Sequence, residues 1–424
     1  MQLVNQKIFT PEIMLLFVEY YPRKIEEKLD KWIKRREAIL IRGPRQSGKT
    51  TLLLHLKEKL GGSYVTLEDE DMLRAFEENP KAFASRFRGN LFLDEAQYSK
   101  RAGRSIKLIY DLFPNLKLFV TGSGSFDVKV EIGKYLVGRA VYFDLLPLDF
   151  EEFLSWKAKD LLETFRSFKE MIKDFLEGEK VKVEVVFERE FRSLLEEFLT
   201  FGGFPAIVKE NDEEIKKELL KNLYRTYLEK DVFFFFNIRH LEKFSAFMKY
   251  LASSIGHILE ISSMSSDLKI DYKTLENYIS ILVNTYIIRL VPPFHKSLVT
   301  ELKKAKKVYF VDIGLRNAGI NNFSPLESRA DKGYILENFI LGEITQLGQV
   351  RYWRTTSKAE VDFVLDFEGK IVPIEVKSFG RVSKSFLSFL KAYKPDRAII
   401  FNEREFGMRE LNGTKILLLP PWFI

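Results

Sequence analysis

Short apolar runs spaced by helical periods mark the first part of the chain. Ala38–Ile41 (AILI), Asn90–Gln97 (NLFLDEAQ), Leu116–Ser123 (LKLFVTGS) and Ala140–Phe143 each have the length of a strand, and the first has the unbroken hydrophobicity of one buried in a parallel sheet. Thr50–Leu60 (TTLLLHLKEKL) between them reads as a helix, so the pattern predicts an α/β domain. From 156 to 245 the period becomes helical throughout. Leu194–Leu199 and Ile215–Leu228 alternate apolar and charged residues at helical spacing, Gly202-Gly203-Phe204-Pro205 predicts a turn, and Asp231–Phe236 (DVFFFF) reads as core.

Two helices, Met264–Leu268 and Tyr272–Asn284, then have helix-turn-helix spacing. Asp271 is placed to cap the second, whose Thr274, Leu275, Tyr278, Ile279 and Leu282 follow helical spacing. Tyr286–Val291 and Lys307–Val311 read as the paired strands of a wing. A helix over Gly333–Leu347, a strand containing Trp353-Arg354, and a hairpin of Glu360–Leu365 (EVDFVL) and Ile371–Lys377 (IVPIEVK), turning at Glu368-Gly369, complete the pattern.

Composition narrows the chemistry. A length of 424 residues predicts two to three domains, and the 46% hydrophobic fraction is that of a globular chain. With no Cys and only 4 His, disulfides, thiolate zinc sites and cysteine nucleophiles are excluded, and imidazole metal sites are not expected. No apolar run reaches the roughly 18 residues of a membrane span, and the first residues lack signal-peptide features, so a cytoplasmic address is expected. The net charge of +7 favours a polyanionic partner. Its basic residues cluster at Lys31–Arg36 (KWIKRR) and Lys303–Lys307 (KKAKK).

The strand at Ala38 leads into Gly43, Pro44, Arg45, Gln46, Ser47, Gly48, Lys49 and Thr50, a GxxxxGK[ST] loop followed by Thr51 in the predicted helix. Gly43 and Gly48 permit backbone angles that turn successive N–H groups toward phosphate oxygens, and the helix N-terminus faces the same anion. Lys49 would reach the β and γ phosphates of ATP, and the Thr50 hydroxyl would ligate Mg²⁺. Asp94 and Glu95, closing the second strand, suit water-mediated Mg²⁺ binding and orientation of the attacking water. Arg139 offers a guanidinium to its own or a neighbour's phosphate, a surface ion pair being the alternative.

In order and spacing, GPRQSGKTTLL, LFLDEAQ, LFVTGSGSF and LVGRAVYFDLLPLDFEEF resemble archaeal and bacterial AAA-superfamily ATPases. The run Pro147-Leu148-Asp149-Phe150-Glu151-Glu152-Phe153 is the most specific part, and the resemblance continues through Gly202–Pro205 and Lys230-Asp231. It departs in the charged stretch from about 157 to 190. The resemblance implies a P-loop AAA-like ATPase domain with Thr121 or Ser123 sensing the γ phosphate, a helical and winged-helix region, and a restriction-endonuclease-like α/β domain. Assembly into a homo-oligomer is inferred from the same likeness.

Near the C-terminus, Glu375 and Lys377 share one strand face and Asp362 lies on the partner strand. Two carboxylates with one ammonium suit metal-assisted phosphodiester hydrolysis, with Asp362, Glu375 and a further Glu337 as Mg²⁺ ligands and Lys377 activating water. These residues resemble the Asp…Glu-x-Lys signature of the PD-(D/E)xK nucleases, a structural Glu375–Lys377 ion pair being the alternative. For the winged helix, phosphate contact by Lys303, Lys304, Lys306 and Lys307 and an exposed face of Lys269, Tyr272, Lys273 and Asn277 predict DNA as partner. Protein contact or a lid over the ATPase is the alternative. The expected division is 1–155 for the ATPase domain with its basic lead-in, 156–245 helical, 246–325 winged helix, and 326–424 nuclease-like.

Overall fold

The computed structural model describes residues 20–123, 133–228, 240–295, 301, 304–377 and 382–424. Lys230-Asp231, the aromatic run 231–236, Lys303 and the side chain of Ser123 lie outside the described residues. The chain divides into two compact units, Met1–Leu146 and Pro147–Ile424.

In the first unit, β1 (Ala38–Gly43), β2 (Ser63–Thr66), β3 (Asn90–Asp94), β4 (Lys117–Ser123) and β5 (Ala140–Asp144) form one parallel sheet in the order β2-β3-β4-β1-β5. The unbroken apolar run in β1 has a simple cause. Ala38 and Leu40 enter the core on one face, with Leu91, Leu93 and Ile106, while Ile39 and Ile41 enter the other, with Leu52, Leu53 and Phe119. A strand covered on both faces has no solvent side on which to place polar residues. The helix Lys49–Leu60 buries Leu52, Leu53, Leu54 and Leu56, each contributing about 1.5–3 kcal/mol. Its N-terminus is thereby fixed at the end of β1, beside the loop that joins them.

The second unit holds two large cores. In one, the charged stretch after 157 proves to be the helix Lys159–Glu177, whose Phe165, Phe168 and Phe175 face inward. Phe150 packs edge-on against Phe165 and Phe339, both at 5.5 Å, and Phe168 stacks on Phe423. This core joins residues 150–201 to the C-terminal sheet, so the expected divisions at 155 and 325 both fall within one compact unit. The sheet comprises β8 (Gln349–Arg354), β9 (Glu360–Phe367), β10 (Lys370–Lys377), β11 (Arg397–Asn402), β12 (Gly407–Leu411) and β13 (Thr414–Leu419), in the order β12-β13-β11-β10-β9-β8. The predicted hairpin is its antiparallel β9–β10 pair, with Ile374 opposite Phe363.

The other core gathers the helices Leu241–Ser253, Ile261–Leu268 and Tyr272–Asn284 with an antiparallel ribbon of β6 (Ile288–Val291) and β7 (Lys307–Phe310). Asp271 caps the third helix, accepting from Thr274 N at 2.9 Å, and Leu275, Tyr278, Ile279 and Leu282 are buried as their spacing predicts. Among the described residues no helix is long and apolar enough to cross a membrane.

The turn at Gly202-Gly203 is held by Asp312. Its carboxylate accepts from Gly203 N and Leu315 N, both at 2.7 Å, and a Cβ on Gly202 would lie 2.4 Å from it. Burial pushes the Asp312 carboxyl up to about 6, against the pull of those N–H donors. The folded state therefore holds the proton more tightly than the unfolded chain. The stabilisation from Asp312 is full below about pH 4 and is lost as pH rises through 6. Thermal midpoints compared between wild type and Asp312→Asn from pH 4 to 7 should show the wild type losing ground as pH rises; a constant gap would contradict this sign.

Candidate functional site

β1 ends in a loop whose geometry only particular residues allow. Gly43 has φ 156°, and a Cβ there would meet the Leu145 carbonyl oxygen at 2.0 Å. Gly48 has φ 96° and Gln46 φ 60°, so the backbone turns back on itself before the helix begins at Lys49. The buried Lys49 ammonium donates to the carbonyls of Gly43 at 3.1 Å and Pro44 at 2.6 Å. Among the described residues Ser47 Oγ is buried without a hydrogen-bond partner, and Thr50 and Thr51 lie in the first helical turn. Exposed helix N–H groups, a lysine inside the loop and an unsatisfied hydroxyl fit a phosphate group.

Sequence reading missed what braces this loop. Arg23, buried, donates from Nη1 to Ser47 O at 2.9 Å and from Nη2 to Leu146 O at 2.8 Å. No local pattern in the sequence marks it. Arg23→Ala is expected to weaken nucleotide affinity by about 10- to 150-fold, as loss of a charge-assisted bond of about 1.5–3 kcal/mol implies. Titration with a fluorescent ATP analogue measures it.

At the end of β3, Asp94 is gripped on both carboxylate oxygens. Thr121 Oγ1 and, at 3.1 Å, Glu95 N donate to Oδ1, and Tyr64 OH donates to Oδ2 at 2.7 Å. Thr121, which with Ser123 was one of two residues expected to sense the γ phosphate, is fully buried and donates its hydroxyl to Asp94. Tyr64 was not foreseen, because it lies on a strand of 4 residues with no periodicity to read. Glu95 adopts φ 56° and accepts from Gln97 Nε2. Burial, then the Asp94 charge, raise its pKa, while Lys49 and Arg45 oppose the shift. That places Lys49, Arg45, Asp94 and Glu95 in one electrostatic neighbourhood. Arg139 donates from Nε to Asp111 at 2.8 Å, the ion pair that was the alternative to a phosphate contact. Within Lys31–Arg36, Arg35 pairs with Glu37 at 3.0 Å and Arg36 lies over the Tyr110 ring.

The C-terminal residues also converge, but with an addition. Val376 N donates to Asp362 Oδ2 at 2.8 Å, and Lys377 Nζ lies 2.9 Å from Glu375 Oε1; among the described residues Glu375 Oε2 is buried without a partner. Glu337 Oε2 accepts from Tyr309 OH at 3.1 Å. Among these groups stands Lys307, 2% exposed, with Nζ 2.5 Å from Glu360 Oε1 and 3.9 Å from Glu337 Oε2. Burial, followed by the charge of Asp362, pushes Glu337 up to about 8, and burial leads the rise of Asp362 to about 6. Burial opposes the Lys307 ammonium, yet Glu337, Glu360 and Asp362 outweigh it and raise its pKa.

Glu337, Asp362 and Glu375, expected as a metal-ligand set, thus share their surroundings with the Lys307 ammonium. Among the described residues no group of three or more His, Asp or Glu is arranged to hold a metal ion. Two ammoniums, Lys307 and Lys377, with the Val376 N–H and the Tyr309 O–H, already engage these carboxylates. Lys307, expected to contact nucleic-acid phosphate, is buried and ion-paired. Lys304 remains exposed, Lys306 partly so, and Lys269, Lys273, Asn277 and Tyr272, the last 51% exposed, share the open surface of the three-helix region.

Comparison with known proteins agrees with the first site. Residues 35–154 match the AAA domain family, while 192–326 and 332–422 match two domains of unknown function, DUF8612 and DUF4143. An uncharacterized protein of Methanocaldococcus jannaschii is 27% identical over 389 residues, 87% of this chain and 81% of that one. A second from the same organism is 25% identical, covering 94% and 86% respectively. Among solved structures, a Walker-type ATPase of Pyrococcus abyssi is similar over 71% of this chain and 96% of its own, with 15% identity and a TM-score of 0.46. The Aeropyrum pernix ORC1 protein in complex with DNA is similar over 72% and 95%, with 14% identity and a TM-score of 0.30. The AAA domain match, together with the loop and the paired carboxylates, supports an AAA-superfamily ATP-binding and ATP-hydrolysing module in residues 35–154.

Proposed function

We propose that this chain is a Mg²⁺-dependent ATPase whose turnover is coupled to DNA contact by the three-helix and ribbon region. The observation that carries the ATPase reading is the Asp94 carboxylate, fixed on both oxygens beside Glu95 and the Lys49 loop. Lys49 leaves the Gly43 and Pro44 carbonyls for the β and γ phosphates, and the helix N–H groups receive the phosphate oxygens. Thr50 and Asp94 would hold Mg²⁺, which supplies charge neutralisation when bound. Glu95, half-released from solvent by burial, orients the attacking water and takes its proton. Arg139 would serve a neighbour's phosphate only in a homo-oligomer that draws it away from Asp111.

DNA contact is supported by the winged-helix-like order of three helices and a ribbon, with Lys269, Lys273, Lys304 and Lys306 accessible. The expected signature is phosphate contact, so binding should weaken steeply with salt. Turnover of MgATP that persists in Lys49→Ala would sink the ATPase reading. Duplex DNA that neither stimulates turnover nor binds in a salt-dependent way would sink the coupling.

A second reading is favoured by the ion pairs of the C-terminal centre. In it the nucleotide controls protein contacts, and the nuclease-like body is a scaffold without cleavage. No DNA cutting with Mg²⁺ or Mn²⁺, alongside intact ATP turnover, is its expected result.

A further inference from the structure

The carboxylate centre of the second unit is closed by a group from outside the C-terminal sheet. β7 is bound into place along its length. Phe310 N donates to Asn338 Oδ1 at 2.7 Å and Asn338 Nδ2 returns a bond to Phe310 O at 2.8 Å. Val308 N donates to His257 O at 3.1 Å, and Tyr352 OH donates to Ala305 O at 2.7 Å. This alignment puts Lys307 and Tyr309, two residues apart on one strand face, against Glu337 and Glu360. The Lys307 stem crosses the Tyr352 ring, with Nζ 5.6 Å from its centroid. Glu360 is held from its other side by Arg354, at 3.6 Å. An ammonium so buried persists only because carboxylates surround it, and they in turn are tolerated only because it is there.

We infer that Lys307 is the resident cation of this centre, and that while the ribbon stays docked the centre refuses divalent metal ions. The inference extends the second reading of the C-terminal body and is independent of the ATPase reading, since none of its residues belongs to the phosphate loop. Its chemistry is a substitution of charge. One ammonium on a strand that can in principle withdraw occupies the place where oxygen ligands would otherwise gather a hard cation. The partnerless Glu375 Oε2, buried at 4% residue exposure, is the further oxygen that an ion could recruit once Lys307 is gone.

The test is Mn²⁺ titration of the full chain, followed by the paramagnetic resonance of free Mn²⁺, in a Thr50→Ala, Asp94→Asn background that silences the phosphate-loop site. With Lys307 present, no Mn²⁺ should bind at millimolar concentration. Lys307→Met should add one Mn²⁺ per chain, an affinity gain of about tenfold or more that raises the melting temperature with Mn²⁺. Asp362→Asn should abolish that gain. If Lys307→Met does not fold, Lys307→Gln, which removes the charge but keeps a hydrogen-bond donor for Glu360, must show the same gain. In the unaltered chain, amine acetylation read by mass spectrometry should spare Lys307 and modify Lys304. Mn²⁺ bound with Lys307 in place and lost on Asp362→Asn overturns the inference. So does absence of any gain in the variant that folds, or acetylation of Lys307 as fast as Lys304.

Discussion

Glu95→Gln should lower ATP turnover by about 10²–10⁴-fold while nucleotide affinity stays within about twofold. The backbone at Glu95 is left-handed, at φ 56°, and its N–H is committed to Asp94 Oδ1 and Thr121 Oγ1. The side chain therefore leaves the strand end in a direction set by three residues rather than by its own rotamer freedom. Burial and Asp94 raise its proton affinity, which suits a base that must take a proton from water. Glutamine keeps the shape and the contact region of Gln97 but cannot accept that proton. Because Lys49 and the helix N-terminus bind phosphate without Glu95, binding is spared. Single-turnover hydrolysis and equilibrium nucleotide titration separate the two quantities; unchanged turnover would remove Glu95 from the chemistry, and a parallel collapse of affinity would make it structural.

What was legible in the sequence follows from whether the cause is local. The phosphate loop was readable because Gly43, Gly48 and Lys49 are demanded by geometry within a few residues of one another. The helix Tyr272–Asn284 was readable for the same reason, Asp271 capping it and Leu275 and Tyr278 facing the core. Arg23, Tyr64 and Lys307 were not. Each acts on residues far away in the chain: Arg23 on Ser47, Tyr64 on Asp94, and Lys307 on Glu360. A lysine in the run KKAKK looks solvated, and only the docking of β7, through Asn338 and the ion pair to Glu360, turns one of the run inward. Lys304 lies exposed before the strand and Lys307 is buried at its start, which no composition could anticipate. The same distance explains why the C-terminal carboxylates were foreseen as neighbours while the ammonium among them was not.

The docking of that strand leads to the largest expected loss of stability, in Asn338→Leu. Asn338 is buried on the helix Lys332–Ile344, and its amide replaces a strand neighbour for Phe310, accepting from its N–H and donating to its carbonyl. Leucine fills a similar volume but leaves both backbone groups without partners. Each buried unpaired group costs about 1–3 kcal/mol, so the second unit should lose roughly 2–5 kcal/mol. Urea unfolding should register the loss, and hydrogen exchange should locate it, with the Phe310 and Val308 amides exchanging faster while the β1 and β4 amides of the first unit keep their protection. Because Lys307 and Tyr309 ride on the same strand, loosening Phe310 should also expose Lys307 to acetylation. A stability loss below about 1 kcal/mol, or lost protection spread evenly over both units, would show that the ribbon is held by its apolar face rather than by the Asn338 amide.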